Sequence, residues 1–251
     1  MRGEFERGKV EKEGITEGTL LDGRLRYRQF KAGHRSGFEP VLLAATVPAR
    51  AGERVLESGT GAGAALLCLA ARVPGVSGVG VELVPALAAL AAKNFQSNAL
   101  GDVSALQADA TALPFGPDSF HHVLSNPPWF GARSTASPDA ARDLAHRAQP
   151  ETLAAWTTEL LRVLRTGGSI SLILPATAFA EAAALLRPSC GGITLVPLWP
   201  RAGEPAKMVL LRARKGSKAP DSVHPGLVLH GPGGLTPQAE AILRGGAALD
   251  A

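Results

Sequence analysis

Short apolar segments alternate with longer, alanine-rich apolar segments through most of the chain. The short segments are typical of buried strands, and the longer ones, several of them bounded by proline or glycine, are typical of helices. The predicted strands cover 54–58, 76–82, 103–108, 121–125, 169–174, 193–199 and 207–214. The predicted helices cover 38–48, 64–73, 85–98, 151–165, 176–187 and a short stretch near 237–244. Strands separated by helices predict an α/β fold with a mostly parallel sheet that helices cover on both faces.

The two ends of the chain differ from this alternating middle. Residues 1–19 are polar and charged, and we expect them to fray. Asp22-Gly23 is a turn signal within 20–31, so a hairpin is predicted there. Residues 215–251 are rich in glycine and proline. The pattern therefore predicts three parts, which are an N-terminal extension packed on the core (1–50), the core (51–215) and a C-terminal tail (216–251).

Composition narrows the class of protein. The 251 residues are 45% hydrophobic and 19% charged, which suits one large domain with its own core. No unbroken apolar run is long enough to span a membrane and the first residues lack a secretory pattern, so we expect a cytoplasmic protein that does not bind membranes. Cys68 and Cys190 have no metal-ligand or redox spacing, so no metal site is predicted. A formal net charge of +4 permits a nucleic-acid partner without requiring one.

A glycine-rich loop follows the first core strand and opens a helix. Its glycines, Gly59, Gly61 and Gly63, do not have the G-x-G-x-x-G spacing of dinucleotide sites. Glycine lets the backbone approach a ligand closely, and the helix N-terminus supplies free N–H groups. Glu57 ends the preceding strand and suits a ligand amino group, such as the α-amino group of methionine, better than a pyrophosphate. Glu57, Thr60 and the three glycines are therefore predicted to bind a cofactor.

Acidic residues also end the next two predicted strands. A carboxylate at Glu82 can accept both hydroxyls of a ribose, a feature that NAD enzymes share. Asp109, followed by Ala110, is placed to meet an adenine ring. All these strand ends share the carboxyl edge of the sheet, where such folds bind ligands. The alternative is that the acids only cap the helices that follow them.

The fourth core strand ends in Asn126-Pro127-Pro128-Trp129. Consecutive prolines stop a strand ladder and make a stiff turn with oriented carbonyl acceptors. An amino group conjugated to a ring or a carbonyl is a poor nucleophile, and the Asn126 side-chain oxygen and the Pro127 carbonyl can each accept one of its N–H bonds, which stabilises charge that develops during attack. Trp129 offers a flat face for a planar substrate. The motif predicts chemistry at a planar nitrogen, with a simple proline-rich turn as the alternative.

With these motifs in place, the chain resembles the class I S-adenosylmethionine-dependent amino-methyltransferases that carry an Asn-Pro-Pro-aromatic box. It is most similar to the bacterial tRNA(Val) adenine-N6 methyltransferases, on the residues at 25–29, 33–44 and 55–61, and the resemblance covers about 20–215. The resemblance implies a Rossmann-like fold with a mostly parallel, seven-stranded sheet whose last strand is antiparallel. It implies S-adenosylmethionine as cofactor and RNA, specifically tRNA, as partner. The residues that it assigns to the cofactor are Gly59, Gly61, Glu82 and Asp109, with 126–129 at the target base and Asn126 also beside the cofactor.

Three positions depart from the pattern of that family. Trp129 stands where Tyr or Phe is usual, Glu39-Pro40 replaces Asp followed by a small residue, and Ser58 stands where an apolar residue is common. The first two leave the substrate open between adenine N6 and two targets of sibling enzymes, which are a protein glutamine and guanine N2 in rRNA. An NAD-dependent oxidoreductase and a cofactor-binding protein without turnover remain as alternatives of a different class.

Basic residues cluster near both ends of the predicted core. If 24–30 is a strand, Arg24, Arg26 and Arg28 share one face that could track a phosphate backbone. A second cluster comprises Arg212, Arg214, Lys215 and Lys218. The alternative for both is a solvated charged edge. The polar segment 131–150 is interpreted either as a lid or as a plain connection.

Overall fold

The computed structural model describes residues 14–31, 37–127 and 150–249. The strands are β1 (Ile15–Leu20), β2 (Leu25–Phe30), β3 (Arg54–Ser58), β4 (Ser77–Glu82), β5 (Val103–Gln107), β6 (Phe120–Ser125), β7 (Leu164–Pro175), β8 (Cys190–Arg201), β9 (Met208–Lys215), β10 (Ser222–Val223), β11 (Leu227–Gly231) and β12 (Gly234–Leu235). The helices are α1 (Glu39–Thr46), α2 (Ala64–Arg72), α3 (Pro85–Asn98), α4 (Pro150–Val163), α5 (Phe179–Leu186) and α6 (Pro237–Leu243), with a 3-10 turn at Ala176–Ala178.

One ten-stranded sheet forms the centre of the molecule. Its order is β5-β4-β3-β6-β7-β9-β8-β11-β12, and β10 pairs with β8 beside β11. Strands β3 to β7 run parallel to one another, whereas β9 runs antiparallel to both β7 and β8. The α/β fold and the seven-stranded, mostly parallel sheet with an antiparallel last strand are thereby confirmed. Strands β10 to β12 widen this sheet beyond β8.

Apolar side chains of the strands pack against helices on both faces of the sheet. Neighbouring residues of β6 show the division, because Leu124 packs in the cluster that includes α1, α2 and α6, while Val123 packs in the cluster that includes α4 and α5. Successive strand residues point to opposite faces, so a strand buried on both faces is a nearly continuous apolar run. This property explains why the sequence predicts the central strands so well.

The N-terminal hairpin of β1 and β2 is confirmed, with its turn at 21–24. Its first strand begins at Ile15, so the prediction that residues up to 19 fray is wrong for the end of that segment. Two side-chain amides of α3 bind the backbone of β2 in the way that a neighbouring strand would. Asn94 accepts the Arg28 N–H (3.0 Å) and donates to the Arg28 carbonyl (2.8 Å), and Asn98 makes the same pair with Arg26 (2.9 and 2.8 Å).

The end of α4 and the start of β7 also differ from the prediction. Helix α4 ends at Val163, and β7 begins at the next residue rather than after the Gly167-Gly168 pair. The register with β6 shifts between Phe120 and His122, and Gly167 takes a φ of +78°. Glycine adopts this backbone at no steric cost, so the pair is accommodated within an irregular strand instead of ending the helix.

The C-terminal residues join the sheet and the helical layer. Helix α6 confirms the predicted short helix, and it packs against β11 and α1. Beyond it, the Leu249 N–H donates to the Ala45 carbonyl in α1 (2.9 Å). The strands β10 and β12 have only two residues each and are too short to show a period of two in the sequence. The division of the chain into an N-terminal extension, a core and a C-terminal tail, at residues 51 and 216, stays a prediction.

Asn94 connects its own helix, α3, to β2 and to the glycine loop, so its substitution tests the fold. It is 1% exposed, and besides its bonds to Arg28 its amide donates to the Ala62 carbonyl in the glycine loop (2.8 Å). We expect Asn94→Ala to lower the free energy of unfolding by roughly 2–3 kcal/mol, because it leaves buried backbone groups unpaired. Urea denaturation measures this loss. The exposed Ser97→Ala on the same helix is the control, and equal stability of the two variants would contradict the role.

Candidate functional site

The predicted site residues meet at the carboxyl edge of the central strands. Ser58, the last residue of β3, pairs with Val81 of β4 on one side and with Ser125 of β6 on the other. Glu57 and Glu82 therefore stand at the ends of adjacent strands, and Asn126 follows directly on the third. The Ser125 hydroxyl donates to the Ser58 carbonyl (2.7 Å), which ties the end of β6 to the start of the glycine loop.

The three loop glycines share a backbone conformation that other residues rarely adopt. Their φ angles are +73° at Gly59, +56° at Gly61 and +89° at Gly63, in the region that favours glycine. A Cβ on Gly63 would lie 2.6 Å from the Phe95 ring of α3, so this glycine permits close helix packing. A Cβ on Gly61 would meet no described atom within 4 Å, so the backbone there borders open space.

Glu57 is the most deeply buried carboxylate of the site, at 4% exposed. Its Oε2 accepts the Thr60 hydroxyl (2.6 Å) and the Leu66 N–H in the first turn of α2 (2.9 Å). Burial raises the pKa of Glu57 to about 7, and the nearby charge of Glu82 acts in the same direction. The sequence allows two interpretations of Glu57, a helix cap or a ligand contact. The structure shows the helix cap, because Glu57 accepts the Leu66 N–H of α2. The binding of a ligand amino group stays a proposal.

Glu82 spans the glycine loop and the start of α3. Its Oε2 accepts the Gly61 N–H (2.9 Å) and its Oε1 accepts the Val84 N–H (3.0 Å). Burial raises the pKa of Glu82 above its ordinary value, although these backbone donors oppose the rise. The sequence gives no sign of the Gly61 contact, which shapes the loop from the neighbouring strand.

Asp109 has a local partner at the end of β5. Its Oδ1 accepts both the N–H (2.8 Å) and the hydroxyl (2.7 Å) of Thr111, while its side chain stays at the surface and Ala110 is buried. The structure therefore places Asp109 at the predicted edge of the sheet in a tight turn. Its contact with an adenine ring stays a proposal.

The Asn-Pro-Pro-Trp motif is described only in its first half. Asn126 is half-buried and Pro127 is buried directly after β6, beside the glycine loop. Pro128 and Trp129 lie outside the described residues, as does most of the predicted lid at 131–150. The two acceptors that the chemistry requires, the Asn126 side chain and the Pro127 carbonyl, thus belong to the same edge as Glu57 and Glu82.

A tryptophan that the sequence analysis did not single out packs against the loop. Trp156 lies in α4, and a Cβ on Gly59 would be 3.0 Å from its Cζ2 and 3.1 Å from its Cη2. The Trp156 Nε1 atom is buried and has no hydrogen-bond partner among the described residues. A tryptophan on the apolar face of a helix normally indicates core packing, so only the three-dimensional contact distinguishes this one.

A cleft lies farther along the same edge. The cleft has a volume of about 360 Å³, and its lining includes Phe38 and Glu39 at the start of α1, Leu198 of β8, and Lys207 and Met208 at the start of β9. Met208 pairs with the last residue of β7, so the cleft opens at the carboxyl end of the parallel strands. The Phe38 ring is 44% exposed, and Lys207 is also exposed.

The predicted stripe of arginines on the hairpin does not form. Arg24 lies in the turn before β2, and its guanidinium donates to the Arg244 and Gly245 carbonyls at the end of α6. Arg28 pairs with Glu17 of β1 (2.7 Å). The interpretation of three arginines aligned along a phosphate backbone is therefore wrong, because two of the three cations have structural partners.

The second basic cluster lies at the opposite edge of the sheet. Lys215 donates to the Leu164 carbonyl at the start of β7 (2.6 Å) and pairs with Asp118 (3.1 Å), and Arg214 donates to the Gly167 carbonyl (3.0 Å).

Among the described residues, no group of three or more His, Cys, Asp or Glu side chains could hold a metal ion. No helix in the described ranges is long and apolar enough to cross a membrane.

The fold and this edge define a class I S-adenosylmethionine-dependent methyltransferase. A family model described as a methyltransferase domain matches residues 55–168. A solved structure described as a predicted O-methyltransferase from Agrobacterium tumefaciens has a TM-score of 0.71 and 27% identity, and the match covers 84% of this chain and 98% of that one. The YcgJ protein of Bacillus subtilis shares the fold at a TM-score of 0.51 and 16% identity, over 71% of this chain and 98% of its own.

Curated relatives narrow the class to a family. A tRNA1(Val) (adenine(37)-N6)-methyltransferase of Dickeya chrysanthemi is 30% identical over 214 residues, which are 80% of this chain and 82% of the relative. Enzymes of the same name from Yersinia pestis (32% identical, 62% of this chain and 66% of the relative) and Bacteroides thetaiotaomicron (28%, 60% and 65%) are also similar. The chain belongs to the family of these adenine-N6 methyltransferases.

The residues at the edge fit S-adenosylmethionine, the cofactor of this class. Its amino group, ribose hydroxyls and adenine amino group are all donors, and the carboxylates of Glu57 and Glu82 are acceptors at adjacent strand ends. The open side of Gly61 leaves room for close approach of a ligand. A pyrophosphate would instead place anions next to the buried carboxylate of Glu57 and the half-buried carboxylate of Glu82, which is unfavourable.

The raised pKa of Glu57 predicts a change of stability with pH. An unfolded Glu57 loses its proton near the ordinary pKa of 4.5, whereas the folded residue keeps it until about pH 7. Between these values the folded state binds more protons, so the contribution of Glu57 falls as the pH rises, by up to roughly 3 kcal/mol. Glu57→Gln keeps one acceptor oxygen and removes the titration. Relative to wild type, we expect the variant to gain stability from pH 4.5 to 7.5 in urea denaturation.

The exposed Glu240→Gln substitution in α6 is the control for removal of a single carboxylate. A difference between wild type and Glu57→Gln that stays constant over the whole range would contradict the proposed pH dependence.

Proposed function

We propose that this chain transfers a methyl group to the N6 amino nitrogen of an adenine in tRNA. The observation that carries the proposal is the position of Asn126 and Pro127 at the end of β6, immediately beside the glycine loop that starts after β3. The names of the Dickeya, Yersinia and Bacteroides relatives support adenine N6 as the target. The likeness to a predicted O-methyltransferase supports the fold but not the acceptor atom, which the Asn-Pro-Pro motif selects.

The chemistry follows from what the motif can accept. The lone pair of the adenine amino group is conjugated with the ring, so the nitrogen is a weak nucleophile until both its hydrogens are held. In our proposal the Asn126 side-chain oxygen accepts one N–H and the Pro127 carbonyl accepts the other, which draws the nitrogen toward tetrahedral geometry and stabilises the positive charge that builds on it. S-adenosylmethionine, when bound, supplies a methyl group on a sulfonium that is already a good leaving group.

Cofactor binding is assigned to the strand ends. Glu57 would accept the amino group of the methionine part, Glu82 the ribose hydroxyls, and Asp109 with Ala110 would contact the adenine. Gly59, Thr60, Gly61 and Gly63 would form the loop beneath these groups. The rate enhancement would come mainly from alignment of the target nitrogen with the methyl group, since the sulfonium needs no further activation. Because tRNA is the proposed substrate, we infer a cytoplasmic enzyme.

The cleft at Phe38 is the surface that we assign to nucleotides next to the target. It opens at the same edge as Asn126, and two strand spacings, roughly 10 Å, separate β6 from β9. The exposed Phe38 ring offers a stacking surface for a base, and the exposed Lys207 offers a cation for a phosphate. This assignment replaces the arginine stripe, in which Arg24 and Arg28 have structural partners.

Methyl transfer to RNA tests the function directly. We expect the protein to label unmodified total tRNA from S-adenosylmethionine with a labelled methyl group, and nucleoside analysis should give N6-methyladenosine. Asn126→Ala should bind the cofactor normally and lose roughly 100-fold or more in kcat, because it removes one of two acceptors of the reacting amino group.

Each outcome of that experiment has a distinct meaning. A labelled N2-methylguanosine peak, or labelled glutamine in protein with none in RNA, would replace adenine by the target of a sibling enzyme. Ribose or oxygen methylation would contradict the role of the motif, and so would an Asn126→Ala variant with the wild-type rate.

The cleft has its own test. Phe38→Ala should weaken binding of tRNA roughly tenfold through loss of one stacking contact. Lys207→Ala should weaken binding at low salt and reduce the slope of log affinity against log salt concentration by about one. Arg26→Ala, which removes an exposed cation of the hairpin, is the matched control and should leave both quantities unchanged. Equal effects of all three substitutions on tRNA binding would contradict the assignment of the cleft to tRNA.

A further inference from the structure

Two aromatic rings stay exposed at the carboxyl edge of the sheet. Among the described residues, the exposed large hydrophobic side chains include only two aromatics, Phe38 at 44% and Phe179 at 41%. Phe38 lines the cleft that is assigned above to nucleotides next to the target. Phe179 is the first residue of α5 and has no part in the proposed function. A single exposed ring is ordinary, whereas rings that share a binding edge indicate a surface for a ligand.

The backbone places Phe179 close to the end of β7. Where this strand ends, the 3-10 turn Ala176–Ala178 leads directly into α5. Such a turn advances about 2 Å per residue, so Phe179 begins roughly 6 Å from Ala176. The Ala176 N–H donates to the Lys207 carbonyl (2.9 Å), so the turn is also joined to the lining of the cleft. Strand β6, which Asn126 follows, is the other neighbour of β7, roughly 5 Å away.

The helix directs the Phe179 ring past the end of the sheet. Ala182, Ala183 and Leu186 of α5 pack in the apolar cluster that includes α4. They lie three, four and seven residues after Phe179, so all four side chains share one stripe of the helix. Side chains in a helix lean toward its N-terminus, which in α5 lies at the carboxyl edge. Phe179 therefore continues the stripe beyond the sheet, which explains why it is exposed while Ala182 and Leu186 are buried.

The two rings lie on opposite faces of the sheet. Phe38 is the N-cap of α1, which packs in the cluster with α2 and α6, whereas α5 packs in the cluster with α4. The exposed Lys207 ends the loop from β8 to β9 and adjoins both the cleft and the turn before α5. An RNA strand that crosses the edge from one face to the other would meet Phe38, Lys207 and Phe179. Aromatic rings stack on bases, and a cation between them can pair with a connecting phosphate.

We propose that Phe179 stacks on the nucleotide at one side of the methylated adenine, while Phe38 takes the nucleotide at the other side. The inference rests on the proposed function and deepens it, because it names a second contact for the RNA. The target adenine would then enter the edge at Asn126 between two bases that are held on opposite faces of the sheet. Phe179 is a positioning residue, since it holds the RNA strand and contacts neither the cofactor nor the target amino group.

Steady-state kinetics with tRNA test the role of the ring. We expect Phe179→Ala to raise the KM for tRNA roughly tenfold, because one base loses its stacking surface. The kcat and the Kd of S-adenosylmethionine should stay within about twofold of wild type, as expected for a contact that the ground state and the transition state share. Phe179→Tyr should keep the wild-type KM. Phe179→Leu, which keeps apolar volume but has no ring, should behave like the alanine variant.

Abasic RNA identifies the base that the ring contacts. A synthetic stem-loop carries the adenine that is labelled in tRNA, and an abasic nucleotide replaces each of its two neighbours in turn. In fluorescence anisotropy, loss of one neighbour should weaken binding to wild type roughly tenfold, and Phe179→Ala should cause no further loss with that RNA. Phe38→Ala should behave in the same way toward loss of the other neighbour. Val223→Ala, which shortens a 73% exposed side chain on β10, is the control and should leave every affinity unchanged.

The outcomes separate this proposal from the proposed function. If Phe179→Leu matches wild type, the side chain only packs against the protein and the proposal fails. It also fails if Phe179→Ala binds tRNA like wild type, or if its loss adds in full to the loss from each abasic position. Wild type that binds tRNA without methylating adenine would contradict the proposed function, and the affinities of the Phe179 variants for tRNA would still decide the role of the ring.

Discussion

The buried carboxylate of Glu57 holds together the turn on which the whole site depends. One oxygen receives both the Thr60 hydroxyl and the Leu66 N–H, so the exit from β3, the glycine loop and the first turn of α2 are fixed by a single group. Burial makes ionisation of this carboxylate unfavourable, and Glu82 across the loop adds to the cost. A cation beside the two acids would lower that cost. The fold therefore carries an electrostatic preference for an amino group at this edge before any ligand contact is considered.

The position of the site could be predicted because it depends on where strands end. Strands β3 and β6 are buried on both faces, and the ends predicted for β3 to β6 agree with the structure within a residue or two. Once the strands are known to be parallel, Glu57, Glu82 and Asn126 must share one edge. The positive φ angles at Gly59, Gly61 and Gly63 also follow from residue type. Each motif alone is weak evidence, and the parallel sheet is what makes them a single site.

Contacts between distant segments could not be predicted in this way. A hydrophobic period shows which face of an element is buried, but it does not show which carbonyl an arginine reaches. Its spacing predicts Arg24 on a strand face, yet Arg24 binds the end of α6 more than two hundred residues later. The amides of Asn94 and Asn98 replace a strand partner for β2, and nothing in their spacing distinguishes them from exposed helix residues. The two-residue strands near the C-terminus are likewise invisible in the sequence.

The acids at this edge give a reason why it suits an amino-acid cofactor better than a dinucleotide. Glu57 and Glu82 stand at the ends of adjacent strands, and burial raises the pKa of both carboxyls. A positively charged amino group beside them favours their ionised form. A pyrophosphate carries only negative charge and acceptors, so it would make ionisation of the same carboxyls still less favourable. The spacing of Gly59, Gly61 and Gly63, which differs from G-x-G-x-x-G, agrees with this argument from charge.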